Sequence, residues 1–101
     1  MSSKPLEGIR ILDMTMWWSG PICTSYIGAL GAEVIKVESI QFPDGFRYTM
    51  SVPGENWWEL GPQFNTANLN KLGVTLNRND EEGIRLFKEL VKECDVLIEN
   101  F

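Results

Sequence analysis

The chain has 101 residues, 44% hydrophobic and 23% charged, an ordinary globular composition with room for one domain at most. Its net charge of −5 argues against a general nucleic-acid binder, which would carry a basic face. Histidine is absent and the two cysteines, Cys23 and Cys94, form no C-x-x-C pair. A histidine-ligated metal site and a Ser-His or Cys-His nucleophile are thereby excluded within these residues, and no metal is expected.

In chain order, residues 1–7 read as a polar, extended lead-in. They contain no long apolar run of the signal-peptide kind, and nowhere do ~20 apolar residues run together, so the expected setting is the cytoplasm, with no membrane segment. Residues 8–14 form a short apolar run of strand length. Residues 15–19 break it, and Gly20-Pro21 opens a helix over 21–30, since proline is well suited to a first helical turn. Ile22, Tyr26, Ala29 and Leu30 share one stripe of that helix, and Gly31 stands where a left-handed C-cap belongs. Residues 33–38 (E-V-I-K-V-E) form a second strand, which makes a strand-helix-strand unit with a parallel pair.

Residues 39–66 are irregular, with three prolines, three glycines and the aromatics Phe42, Phe46, Trp57 and Trp58. A loop this long is functional or packs elsewhere. The Trp57-Trp58 pair reads as an anchor onto another domain or subunit in preference to a ligand stack. After a polar turn over 67–71 comes a third strand over 72–76. Asp80, Glu81 and Glu82 then open a helix whose dipole they complement, with Ile84, Phe87, Leu90 and Val91 as its core stripe. Residues 95–99 form a fourth strand, with Asn100 and Phe101 beyond it. No covering helix follows this strand, so the chain reads as the first part of a longer protein. Both cysteines lie in apolar segments and read as buried, reduced thiols.

A parallel sheet gathers the carboxyl ends of its strands on one edge, where ligands bind and a helix N-terminus welcomes anions. Thr15 to Ser19, Ser39, Leu76 to Asn79 and Asn100-Phe101 are the loops of that edge. A dinucleotide fingerprint and a Walker lysine are absent, which lowers the dehydrogenase and P-loop readings. Asp13 has too few acidic neighbours for a magnesium-dependent phospho-acceptor. Lys36 either snorkels at a sheet edge or serves a ligand, and Lys71 either contacts a phosphate or closes a turn. Trp17 and Trp18 either stack a base or fill the sheet edge.

Five ordered blocks carry a resemblance: P-L-E-G-I-R-I-L-D-M-T (5–15), S-G-P (19–21), L-G-A-E-V-I-K-V-E (30–38), N-L-N-K (68–71) and D-V-L-I-E-N-F (95–101). The chain resembles the family III CoA-transferases, the CaiB/BaiF group that also contains α-methylacyl-CoA racemase. The resemblance implies an α/β, Rossmann-like parallel sheet with flanking helices, the N-terminal part of a larger domain that binds coenzyme A. It implies an acyl-CoA and a carboxylic acid as substrates and an interlocked homodimer. Transfer would run through an aspartyl-CoA thioester on an aspartate beyond residue 101, so no catalytic residue lies in this chain. CoA-contacting positions carried over are Trp18, Ser19, Ser39, Lys71, Leu76, Asn79, Asn100 and Phe101.

Departures from the family pattern are informative. Trp17 and Trp18 stand where smaller or polar residues are usual, which disfavours an oxalate-like substrate and favours a bulkier or more apolar acyl group. Ser39 and Asn79 stand where arginine and lysine are common, leaving phosphate contacts to Arg47, Lys71 or residues further on. A racemase or CoA-ester isomerase is the alternative within the family. A non-catalytic CoA-binding or assembly fragment is the alternative outside it.

Overall fold

The computed structural model describes residues 3–101, so the first two residues of the polar lead-in lie outside it. Strands β1 (Arg10–Asp13), β2 (Glu33–Glu38), β3 (Lys71–Thr75) and β4 (Val96–Ile98) form one sheet in the order β3-β2-β1-β4. All three pairings are parallel, with Ile11 opposite both Val34 of β2 and Val96 of β4. The helices are α1 (Ser19–Ala29), α2 (Pro62–Ala67) and α3 (Glu81–Lys92). The expected α/β, Rossmann-like parallel sheet with flanking helices is therefore observed, and β2 has the bounds read from the sequence.

The middle strands carry the core. Leu12 and Val34 are fully buried, and Ile11, Ala32 and Val34 pack with Leu6, Ile27 and Ile98. Each such side chain removed from water contributes roughly 1.5–3 kcal/mol.

Several expectations change. The first helix starts two residues earlier than read, at Ser19, because a proline within the first turn lacks only an N–H that has no helical partner there. Its buried face is also a different one: Pro21, Thr24 and Ser25 face inward, while Tyr26 is 69% exposed and Leu30 is exposed. Close approach is the physical reason. A Cβ on Gly28 would lie 2.8 Å from the Asn70 carbonyl oxygen, and one on Gly20 would lie 2.4 Å from the Thr15 Cβ. Only small side chains fit between α1 and what it covers.

The third strand begins at Lys71, inside the expected turn, since Lys71 already pairs in register with Val34. The fourth strand is shorter than read, because residues 95 and 99 fall outside the ladder to β1. Residues 39–66 are less irregular than read: 3₁₀ turns occupy Gly45–Arg47 and Trp57–Glu59, and α2 opens on Pro62. The helix α3 has Asp80 as its N-cap, accepting from the Glu82 and Gly83 N–H groups, while its apolar stripe is only half covered. Cys23 is exposed and Cys94 half-buried, both free, which corrects the reading of two buried thiols; α1 turns Cys23 outward.

Candidate functional site

The carboxyl edge of the sheet is organised by two buried ion pairs and a third that is partly buried. Asp13, at the end of β1, is wholly buried and pairs with the Lys71 Nζ at 2.8 Å. Its Oδ1 accepts from the Thr15 N–H (2.8 Å) and hydroxyl (2.5 Å), and its Oδ2 from the Thr24 hydroxyl (2.7 Å). The carboxylate thus ties the start of the first loop to α1 and β3. Lys36 is likewise buried and does not snorkel at an edge. Its ammonium donates to the Asp44 Oδ2 at 2.7 Å and the Thr15 carbonyl at 2.8 Å. Glu38 and Arg47 form the third pair, Nη2 to Oε1 at 2.7 Å, with Nε donating to Oε2 at 2.9 Å. The guanidinium carbon of Arg47 lies 3.6 Å from the centre of the Phe64 ring, a stacked cation–π contact.

These groups do not titrate normally. Burial pushes the Asp13 carboxyl up, but Lys71, Thr15 and Thr24 together outweigh it and hold the pKa below the ordinary value. Burial opposes Glu38 in the same way, and Arg47 with the Asp44 N–H overcomes it, again lowering the pKa. At Lys71 burial wins over the pull of Asp13 and lowers the pKa, so the carboxylate is the better stabilised half of that pair.

The pairs hold the loop after β1. Asp44 Oδ1 accepts from the N–H groups of Trp17 and Phe46, both at 3.0 Å. Trp17 has φ +68°, a left-handed backbone that costs energy for a bulky residue and is kept here by the Asp44 contact. The indole lies against Gly45, where a Cβ would come within 2.1 Å of ring carbons, so only glycine leaves the ring room. From the other side, Asn100 accepts from the Met16 N–H (3.0 Å) and donates to the Met16 carbonyl (2.8 Å). Asn100 thus clamps the first loop to the end of β4.

The expected site residues distribute as follows. Trp18 caps α1 and is 58% exposed, and Ser19 is exposed at the helix N-terminus beside it. Ser39 is buried just past β2, its hydroxyl accepting from the Gln41 N–H. Leu76 is half-buried and Asn79 exposed in the β3–α3 turn, and Phe101 is 79% exposed. Lys71 is committed internally: besides Asp13 it donates to the Pro21 carbonyl and the Asn68 Oδ1. Sequence reasoning missed Arg78, which sits between Leu76 and Asn79 with its guanidinium 5.9 Å from the Phe101 ring centre. Its Nε has no hydrogen-bond partner among the described residues. A cation flanked by two asparagines just past a parallel strand was the available signal. A cavity of about 500 Å³ opens beside Ser39, walled by Ile40, Pro43, Trp57, Trp58 and Thr75, within the size range of small-molecule sites.

A parallel sheet with flanking helices, its strand-end loops tied down by buried charge, defines an α/β, Rossmann-like fold. The model of CoA-transferase family III matches residues 6–101, and the chain belongs to that family. It is 44% identical over 100 residues to the succinyl-CoA:glutarate CoA-transferase of Mus musculus, covering 99% of this chain and 22% of the relative. It is 41% identical to the formyl-CoA:oxalate CoA-transferase of Bradyrhizobium sp. (strain ORS 278), covering 98% of this chain and 23% of the relative. A crystal structure of a CAIB/BAIF family protein from Brucella suis superposes with a TM-score of 0.84 at 35% identity, over 99% of this chain and 26% of that one. The chain thus spans about a fifth of the length of the curated relatives it matches. No helix among the described residues is long and apolar enough to cross a membrane.

Proposed function

We propose that this chain is the N-terminal, coenzyme A-binding part of the large domain of a cytoplasmic CoA-transferase. The enzyme moves CoA from an acyl-CoA to a carboxylic acid. The observation that carries this reading is the family match along residues 6–101, laid over four strand ends that meet on one edge. The α1 N-terminus supplies backbone N–H groups for an anionic part of the ligand, with Ser19 beside it. Trp18, Ser39, Leu76, Asn79 and Phe101, on the loops of that edge, contact CoA, and Arg78 takes the phosphate-binding role for which Lys71 is too buried. Lys71 and Asn100 act from behind, by fixing the loops that touch CoA.

The chemistry is thioester exchange. An aspartate beyond residue 101 exchanges its carboxylate for the acyl group on the CoA sulfur, releasing the first acid. The second acid then takes the sulfur back from the aspartyl thioester. Working enzyme is an interlocked homodimer. The test is intact mass spectrometry of the full chain incubated with acyl-CoA, followed by addition of a carboxylic acid. The expected result is a mass gain equal to CoA less water, discharged by the acid with a new acyl-CoA as product. No covalent adduct and no new acyl-CoA across a panel of donors and acids would contradict the reading.

A further inference from the structure

Between β1 and α1 the chain turns through a residue whose backbone is uncommon for its side chain. Trp17 has φ +68°. That left-handed region suits glycine and, less often, asparagine, whereas a bulky side chain crowds the neighbouring carbonyl there. The stretch is anchored on both sides. Asn100 grips Met16 through its N–H and its carbonyl, and Lys71 donates to the Pro21 carbonyl. With those ends fixed, the sign of φ at Trp17 sets where Trp18 and Ser19 lie.

Asp44 holds that sign. It is fully buried and every polar atom it has is engaged. Its Oδ1 accepts from the N–H of Trp17, 27 residues back, and from the N–H of Phe46, both at 3.0 Å. Its Oδ2 accepts from the Lys36 Nζ at 2.7 Å, its N–H donates to the Glu38 Oε2 at 3.0 Å, and its carbonyl accepts from the Arg47 N–H. Lys36 and Glu38 both stand on β2, so the sheet itself fixes where the carboxylate sits. A sparsely populated backbone persists only where its surroundings over-determine it, and such residues gather at ligand clamps.

Resting on the CoA-transferase reading, we propose that Asp44 is a positioning residue for CoA binding. By keeping Trp17 left-handed it presents Trp18 and Ser19, which that reading sets against CoA. Without the carboxylate, Trp17 relaxes to a right-handed or extended backbone in most molecules. The apparent dissociation constant then rises by the inverse of the fraction that keeps the turn.

The test is calorimetric titration of CoA into full chains that all carry Lys36→Met, which removes the ammonium that Asp44→Ala would otherwise leave buried and unpaired. With Trp17 in place, Asp44→Ala should weaken binding about 10-fold, the affinity equivalent of releasing one strained residue. With Trp17→Gly added, the same substitution should weaken it by about 3-fold or less, because glycine enters the left-handed region about as readily as the right-handed one. Asp44→Asn, whose amide oxygen can still accept the Trp17 N–H, should restore most of the affinity lost in Asp44→Ala. No weakening by Asp44→Ala, or equal weakening with tryptophan and with glycine at position 17, would overturn the positioning role and leave Asp44 a structural partner of Lys36. Absence of CoA binding by the unsubstituted chain would overturn the parent reading, and the positioning role with it.

Discussion

Replacing Asp13 by alanine should destabilise the full chain by about 3–5 kcal/mol, the cost of leaving one half of a buried ion pair without its partner. Lys71 is only 3% exposed, so its ammonium could not reach water without opening the sheet edge. The same change strips acceptors from the Thr15 N–H and the hydroxyls of Thr15 and Thr24. Lys71→Met is the informative companion: it removes the charge from the other side, leaves the threonine bonds in place, and should cost less. Urea unfolding of wild type and both variants measures this. Equal stability of Asp13→Ala and wild type would contradict the role assigned to the pair.

The pH dependence follows from the same groups. Folding lowers the pKa values of Asp13 and Glu38 below their ordinary 3.8 and 4.5. Between the ordinary and the folded values the unfolded chain binds more protons, so stability is full above the ordinary values and falls as the pH drops through the folded ones. Stability should therefore decline progressively from about pH 4.5 downward, and the slope should flatten in Asp13→Asn. An unchanged slope in that variant would place the acid sensitivity elsewhere.

The second large effect is expected at Gly83, in the first turn of α3. On propensity alone, Gly→Ala inside a helix gains about 1 kcal/mol. Here a Cβ would fall 1.7 Å from the Asn77 carbonyl oxygen and 2.6 Å from its carbon, both backbone atoms that cannot rotate away. Overpacking of this kind typically costs about 1–3 kcal/mol, and a backbone clash lies at the upper end, so the collision wins and the sign reverses. Relief would have to come by moving the β3–α3 turn, which carries Arg78 and Asn79. Gly83→Ala should thus lower the melting temperature and weaken CoA binding together. A stabilised Gly83→Ala chain would show that the turn adapts freely.

What the sequence disclosed is what short-range rules govern. Residues 33–38 are a short, valine- and isoleucine-bearing run that follows a glycine at 31 and precedes the irregular stretch from 39, so its bounds as β2 are legible. Asp80 followed by two acids announced the α3 cap that the structure contains. The small helix α2 was missed because six residues cannot show a period, and Pro62 reads as a loop residue as readily as a helix start. The inward face of α1 was misread because apolar content was taken to mark burial. Close helix–sheet approach instead selected Thr24, Ser25 and Gly28.

The candidate site was legible as a set of loops and much less as a set of roles. Lys71 and Asp13 lie 58 positions apart, and Asn100 and Met16 lie 84 apart; no spacing rule links such pairs. Asn100 and Lys71 therefore read as ligand contacts, whereas the fold employs their polar atoms on its own backbone and carboxylates. Lys36 shows the same limit. Its partner Asp44 sits eight residues on, past an irregular stretch that hides the return of the chain.

Calorimetric titration of CoA into the full chain and its Ser19→Trp variant decides whether the carboxyl edge of this sheet holds coenzyme A. Ser19 is exposed in the first turn of α1, so the indole should obstruct that edge of the sheet without disturbing the core. The account predicts saturable CoA binding by the wild type and at least a 10-fold weaker affinity in the variant, a loss of about 1.4 kcal/mol or more. Equal affinity in the two proteins would place CoA elsewhere and contradict the account.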